Sequence, residues 1–285
     1  MILLVVDGLT SGAVEKIPLN YLGKLKQEGV YYKELYLSLA AHPKQNNDVN
    51  DPCYYPWSSS IPNPVMMTGT VFIGQTGIKE TLLQYSYRSL GKNTAFLVNS
   101  NAYEEIAIGY DLFRQDWTSD DDSPVFEAAQ KTIKETDPWF IRIHLQTTGA
   151  GGYRDMRAGR NIWEQFSDYR ARVTKADSLI FQFVQWLKAN DYWEETVLFI
   201  CGDHGQSDKG GHPPFEPGGD KTSLLILGKG IKKGVSYDYA EMIDIAPTIA
   251  FFKMFQHQNI ARDKFLKKLL LEKKNYKNEK KILKS

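Results

Sequence analysis

The sequence predicts an α/β fold, with a mostly parallel, doubly wound sheet and helices on both faces. Three observations lead there. Short apolar, β-branched runs recur along the 285 residues, longer segments with helical spacing separate them, and several runs end in polar or glycine-rich punctuation. Strands joined through helices imply right-handed crossovers and parallel neighbours.

Taken in order, ILLVVD (2–7) reads as a strand, followed by a helical pattern over AVEKIPLNYLGKLKQEG (13–29). TAFLVN (94–99) is the next strand, and SPVFEAAQKTIKE (123–135) a helix with Ser123 as N-cap and Pro124 at the first helical position. PWFIRIHLQ (138–146) reads as a strand, ending in the turn QTTGAGGYR. Between Asn161 and Asn190, Phe166, Val173, Leu179, Ile180, Phe183, Val184 and Leu187 recur at roughly helical spacing. TVLFIC (196–201) and SLLILG (223–228) complete the strands. In this architecture Asp7, the 144–150 turn and the Asp203-His204 pair emerge along one sheet edge, and ligands bind at that edge of open α/β sheets.

Composition sets the bounds. The chain is 42% hydrophobic and 24% charged, with no long apolar run suited to a membrane span. MILLVVDG is too short and too soon interrupted by Asp7 for a signal peptide, so the default expectation is cytoplasmic. Cys53 and Cys201 make neither a disulfide framework nor a zinc cluster. The net charge of +1 is uneven: from Arg262 onward ten Lys/Arg face three Asp/Glu, leaving residues 1–261 at −6. A body without a broad basic footprint argues against nucleic-acid binding. The expected organisation is one domain over 1–255 and a basic helical tail over 256–285. That tail reads as a solvated terminal helix or as a weak contact for a membrane or an acidic partner.

Two stretches carry chemistry. FICGDHGQSDKGGH (199–212) ends an apolar strand in Gly-Asp-His-Gly, delivering a carboxylate and an imidazole to the strand's mouth. PWSSSIPNPVMMTGT (56–70) sets three serines before a helix start, where exposed N–H groups and the helix dipole suit an oxyanion. By itself that serine cluster reads first as a helix cap. Combined with Asp7, Asp203 and His204, a serine oxygen completes an oxygen-rich set with one imidazole. Such a set suits a divalent metal, zinc first, with manganese, calcium or magnesium as alternatives. A metal beside the serine would lower its pKa and offset charge on ester oxygens.

VVDGLT (5–10), MTGTVFIGQTGI (67–78), PWFIRIHLQ, the 169–205 segment ending in GDHG, and YAEMIDIAPTIAFF (239–252) occur in a collinear order. This order resembles the alkaline phosphatase superfamily, in its sulfatase and type I phosphodiesterase/nucleotide pyrophosphatase branch. The resemblance implies that Asp7, Asp203, His204 and the serine ligate a first metal, and that His212 binds a second metal or the ester oxygens. Helix phase from Thr68-Gly69 selects Ser59 as nucleophile, and alignment on Pro62-Asn63 selects Ser60. The sulfatase signature is not met, since no arginine follows the serines and Asn63 stands near its place; formylglycine formation is not expected. Relatives carry an Asp and a His just after the strand matching FIRIHLQ, where this chain reads QTTGAGG. A single-metal variant is therefore expected, with Arg154, Lys209 or Lys221 as substitute positive charge, and Asn63 and Arg154 as substrate-binding candidates. His144 is expected to be a structural residue just below the site. The aromatic stretches YYPW (54–57) and NIWEQFSDY (161–169) read as packing rather than as a leaving-group pocket.

The functional expectation is a metal-dependent hydrolase of phosphate esters acting through a covalent phospho-serine, on a small-molecule, lipid or glycan ester. The alternatives are a sulfatase-like hydrolase or phospho-group transferase on the same scaffold, and a degenerate member that only binds anions.

Overall fold

A computed structural model describes residues 1–37, 66–67, 93–100, 103–104, 107, 110–115, 120–212 and 216–255. The elements in chain order are β1 (Ile2–Val6), the one-turn helices α1 (Ala13–Lys16) and α2 (Leu22–Leu25), β2 (Gly29–Tyr36), β3 (Thr94–Val98), β4 (Leu112–Arg114) and α3 (Ser123–Thr136). They continue with β5 (Phe140–Leu145), α4 (Thr147–Arg157), α5 (Asp168–Ala189), β6 (Val197–Cys201), β7 (Lys221–Gly228), β8 (Val235–Glu241) and α6 (Ile245–Phe255).

One sheet runs β4-β3-β5-β1-β6-β7-β2-β8. All pairings are parallel except those of β7, which is antiparallel to both β6 and β2. The α/β, mostly parallel architecture is the expected one. β7 reverses because no helix among the described residues lies between it and β6 to carry the chain back across the sheet.

Alternation along the strands builds the two faces. Leu4 and Val6 of β1 join Ile141, Ile143 and Leu145 of β5 beneath α3 and α5, which contribute Val125, Phe126, Ile180, Phe183 and Leu187. Leu3 and Val5 face the other way, with Phe140, Phe199, Met66, Met67 and α6 residues Ile245, Ile249 and Phe252. Each such fully buried side chain is worth about 1.5–3 kcal/mol over exposure. β1 is apolar throughout because helices cover both sides of it.

Several sequence expectations are corrected. The 13–29 helix is interrupted: Pro18 lacks an N–H and favours an extended residue before it, and Ile17 is extended, leaving two single turns. Ser123 is the first residue of α3, and Asp122 holds the N-cap position. The QTTGAGGYR turn is helix α4 despite its three glycines. Asp122 reaches across to its first turn and accepts from Gln146 N (3.1 Å), Thr147 N (3.2 Å) and Thr147 Oγ1 (2.6 Å), satisfying donors a helix start leaves open. Phe166 lies before α5 and is 84% exposed, so it is outside the core. The tail over 256–285 lies outside the described residues.

One buried carboxylate ties α2 to α5. Asp177 accepts from the backbone N–H of Asn20 (3.0 Å), Tyr21 (3.1 Å) and Leu22 (2.6 Å), which supplies the N-terminal cap that so short a helix lacks. Asp177→Ala should therefore destabilise the protein by about 2–3 kcal/mol, since it strands those donors. A shift in the urea midpoint at unchanged slope measures this, and a loss under about 0.5 kcal/mol would refute the capping role.

Candidate metal centre

β1 lies between β5 and β6, with Val6 opposite Leu145 and Val5 opposite Cys201. Continuing that register brings Asp7, Gln146 and Asp203 together at the carboxyl ends of three adjacent parallel strands. Gly8 turns the chain away at φ +64°, and its N–H donates to Asp203 Oδ1 (3.1 Å). A side chain there would also overlap the Gln206 amide, so glycine is required twice over. From α5, the Tyr169 hydroxyl donates to Gly8 O (3.1 Å) and accepts from Thr10 N (2.9 Å), pinning the turn.

Asp7, Asp203 and His204 are all buried, and one ligand atom from each lies within 4.8 Å of the others. Asp203 Oδ1 also accepts from His204 N (3.0 Å). His204 Nδ1 lies 2.8 Å from Gly205 O. A carbonyl only accepts, so Nδ1 carries the hydrogen, and in the neutral ring, the form that ligates a metal, Nε2 presents the lone pair. That lone pair faces carboxylates, 3.8 Å from Asp7 Oδ1 and 3.8 Å from Asp203 Oδ1. Burial first, and the Asp203 charge second, push the Asp7 carboxyl above its ordinary range, against the pull of His144 and His204. Burial lowers the His204 pKa, but the Asp203 and Asp7 carboxylates and the Gly205 carbonyl outweigh it and hold it raised. Two carboxylates and an imidazole lone pair, converging out of water, are complementary to a cation. The donor set could hold a divalent metal ion.

His212 stands beside this trio, its ring 4.2 Å from that of His204 and its Nε2 2.9 Å from the Tyr153 hydroxyl. Burial, and then His204, push its pKa down to about 3, so it is neutral near pH 7. Where relatives are expected to carry an acidic ligand, Gln146 Nε2 donates to Asp7 Oδ2 at 2.7 Å. One turn on, a Cβ at Gly149 would overlap Asp7 Oδ1, so α4 packs directly on the carboxylate. His144 is fully buried, its Nε2 3.9 Å from both Asp7 Oδ2 and Asp203 Oδ2.

The suggested cations are engaged elsewhere. Arg154 pairs with Asp168 (2.5 Å) and Asp120 (3.2 Å), Lys209 with Glu216 (3.1 Å), and Lys221 with Glu34. Ser59, Ser60 and Asn63 lie outside the described residues, as does the YYPW stretch. Of the second aromatic stretch, Trp163 packs edge-on against Tyr169.

Sequence reasoning missed four residues around the trio: Tyr103, Arg142, Tyr153 and Gln206. Arg142 had a signal, being a charged residue in the middle of an apolar strand. Gln206 follows GDHG directly, and its buried amide lies against Gly8 and Gly152. Nothing in the local pattern distinguishes Tyr103 or Tyr153 from packing aromatics.

Solved structures share this fold. Mouse ectonucleotide pyrophosphatase/phosphodiesterase 5 is 9% identical, with 95% of this chain and 100% of that one covered at a TM-score of 0.64. The lipoteichoic acid synthase LtaP of Listeria monocytogenes is 17% identical, covering 87% and 70% at a TM-score of 0.59. An alkaline phosphatase superfamily protein of Vibrio parahaemolyticus is 16% identical at a TM-score of 0.57, and the match spans 87% of this chain but only 64% of that longer one. No curated protein sequence matches the chain. The family description Sulfatase matches residues 20–251, most of the chain. With its fold and collinear motifs, the chain belongs to the sulfatase family of the alkaline phosphatase superfamily.

Proposed function

We propose that the protein is a metal-dependent hydrolase of phosphate esters, diesters before monoesters, acting through a serine nucleophile. The observation that carries this reading is the buried Asp7–Asp203–His204 trio, whose His204 Nε2 is turned toward the two carboxylates. Asp7, Asp203 and His204 would hold the metal. When bound, it would supply the charge that lowers the pKa of a hydroxyl nucleophile and offsets the ester oxygens. Ser59, with Ser60 as the alternative register, attacks phosphorus as the alcohol departs, and water then releases the phosphoryl group from the serine. His212, neutral and bonded to Tyr153, faces the ester oxygens. Family membership supports ester chemistry of phosphate or sulfate. Among proteins of like fold, one was solved with its substrate D-glucosamine-2-N,6-O-disulfate and another, inactivated, with AMP. The sulfatase family match keeps sulfate esters as the second reading, and a panel of both ester types on metal-loaded protein separates them.

Asp203→Asn or His204→Ala should abolish ester hydrolysis and lower bound metal together, as each removes a ligand. Wild-type turnover and metal content in both variants would refute the site. Purified protein should hold about one tightly bound ion, because the stretch carries Gln146, Thr147 or Thr148 where an Asp is expected and Gly149 or Ala150 where a His is expected. Two equivalents by elemental analysis would overturn that.

Protons should compete with the ion, because the Asp7 carboxyl is raised and so binds its proton more tightly when folded than unfolded. Deprotonating it costs the metal-free fold stability as pH rises, and a metal returns it. The increase in Tm on adding metal should therefore be larger at pH 8 than at pH 5, and an equal shift at both would count against ligation by Asp7.

Ser59→Ala should lose about a thousandfold or more in turnover while Ser58→Ala loses little. Mapping the phosphorylated peptide trapped with a slow substrate decides the register. Full activity in all three single alanine variants, Ser60→Ala included, would reduce the cluster to a helix cap.

A further inference from the structure

Arg142 and His144 sit two residues apart on β5 and so point to the same face of the sheet. Both are fully buried. A guanidinium in such a place is costly unless its charge is used. That of Arg142 lies over the Phe96 ring, 4.8 Å from its centre, and Nη2 is 3.1 Å from His144 Nδ1.

The direction of that bond is fixed by chemistry. A guanidinium has donors and no acceptor, so His144 Nδ1 must accept and carries no hydrogen. The proton of a neutral ring is then on Nε2. Nε2 lies 3.3 Å from the Tyr103 hydroxyl, which lies 3.3 Å from Asp7 Oδ2. Nε2–H donates to the Tyr103 oxygen, and the hydroxyl hydrogen is left to donate to Asp7. Each group thus passes a hydrogen bond forward, from Arg142 through His144 and Tyr103 to Asp7. With Gln146 also donating to Oδ2, that oxygen is taken up by donors while Oδ1 faces His204. As neutral rings the two histidines beside the carboxylates are opposite in kind: His204 turns a lone pair inward, and His144 turns a hydrogen.

We propose that Arg142 is a positioning residue of the metal centre. Through His144 and Tyr103 it fixes a one-way hydrogen-bond chain that orients Asp7 to ligate through Oδ1, and it keeps His144 a donor beside the centre instead of a ligand. This rests on the metal-centre reading above, but the chain itself is readable without metal.

The test uses the full chain. Long-range proton–nitrogen NMR of the metal-free protein, with His144 assigned through His144→Gln, should give an unprotonated Nδ1 and a protonated Nε2 for His144. Titrating zinc should move the His204 ring while His144 keeps its Nε2 hydrogen. A protonated Nδ1 on His144, or loss of its Nε2 hydrogen to zinc, would overturn the proposal. In parallel, His144→Gln, which can still donate, should keep one zinc equivalent, whereas His204→Gln should lose it. Arg142→Met should weaken zinc binding about 10–100-fold, and Arg142→Lys, also a pure donor, should restore most of it. Unchanged zinc affinity in a folded Arg142→Met would also overturn it. If that variant does not fold, the wild-type spectra decide. A wild-type protein that binds no zinc would refute the metal-centre reading, a failure distinct from that of the chain, which the metal-free spectrum reads.

Discussion

Two carboxylates, Asp7 and Asp203, are held together out of water at the ends of neighbouring strands, and the architecture around them answers that one constraint. Like charges in a low-dielectric site repel, and each also loses its hydration. The protein surrounds them with four donors: the Gly8 and His204 amides, the Gln146 side chain and the Tyr103 hydroxyl, with His144 and Arg142 behind the last. Glycines at 8 and 149 let backbone and helix approach closely enough for this. The packing of α4 on β1 and the pinning of the Asp7 turn by Tyr169 serve the same end.

Much of this was legible in the sequence, and for physical reasons. ILLVV, FIRIHL and VLFIC are buried on both faces, so their composition identifies them as central strands without reference to a partner. A polar residue that ends such a strand can emerge only at the sheet's edge, which is why Asp7 and Asp203-His204 could be placed together. What was not legible depended on distant partners. Helix α4 looks like a turn because three glycines disfavour a helix locally. The carboxylate that caps it is Asp122, some two dozen residues earlier and at the N-terminus of another helix. The reversal of β7 likewise depends on what does not intervene before it. Tyr103 comes from a segment with no periodic signal, and only the folded sheet brings it to His144.

The departure from the expected ligand set also acquires a structural meaning. An acidic residue at position 146 would set a third carboxylate against Asp7, whereas the Gln146 amide donates a hydrogen bond to it. The amide thus supplies locally some of the electropositive character that another cation would bring.

The central position of β1 governs how the chain comes together. Its five residues are made well before their partners, which lie at 140–145 and 197–201. Pairings of such sequence separation carry a high loop-closure cost and form late. Until both partners are made, ILLVV is therefore an unpaired apolar strand with two open edges, a segment suited to misassembly. The edge that gathers Asp7, Asp203 and His204 cannot exist before that strand is clamped on both sides, so the assembly of that cluster and the burial of the strand's open edges are the same event in folding.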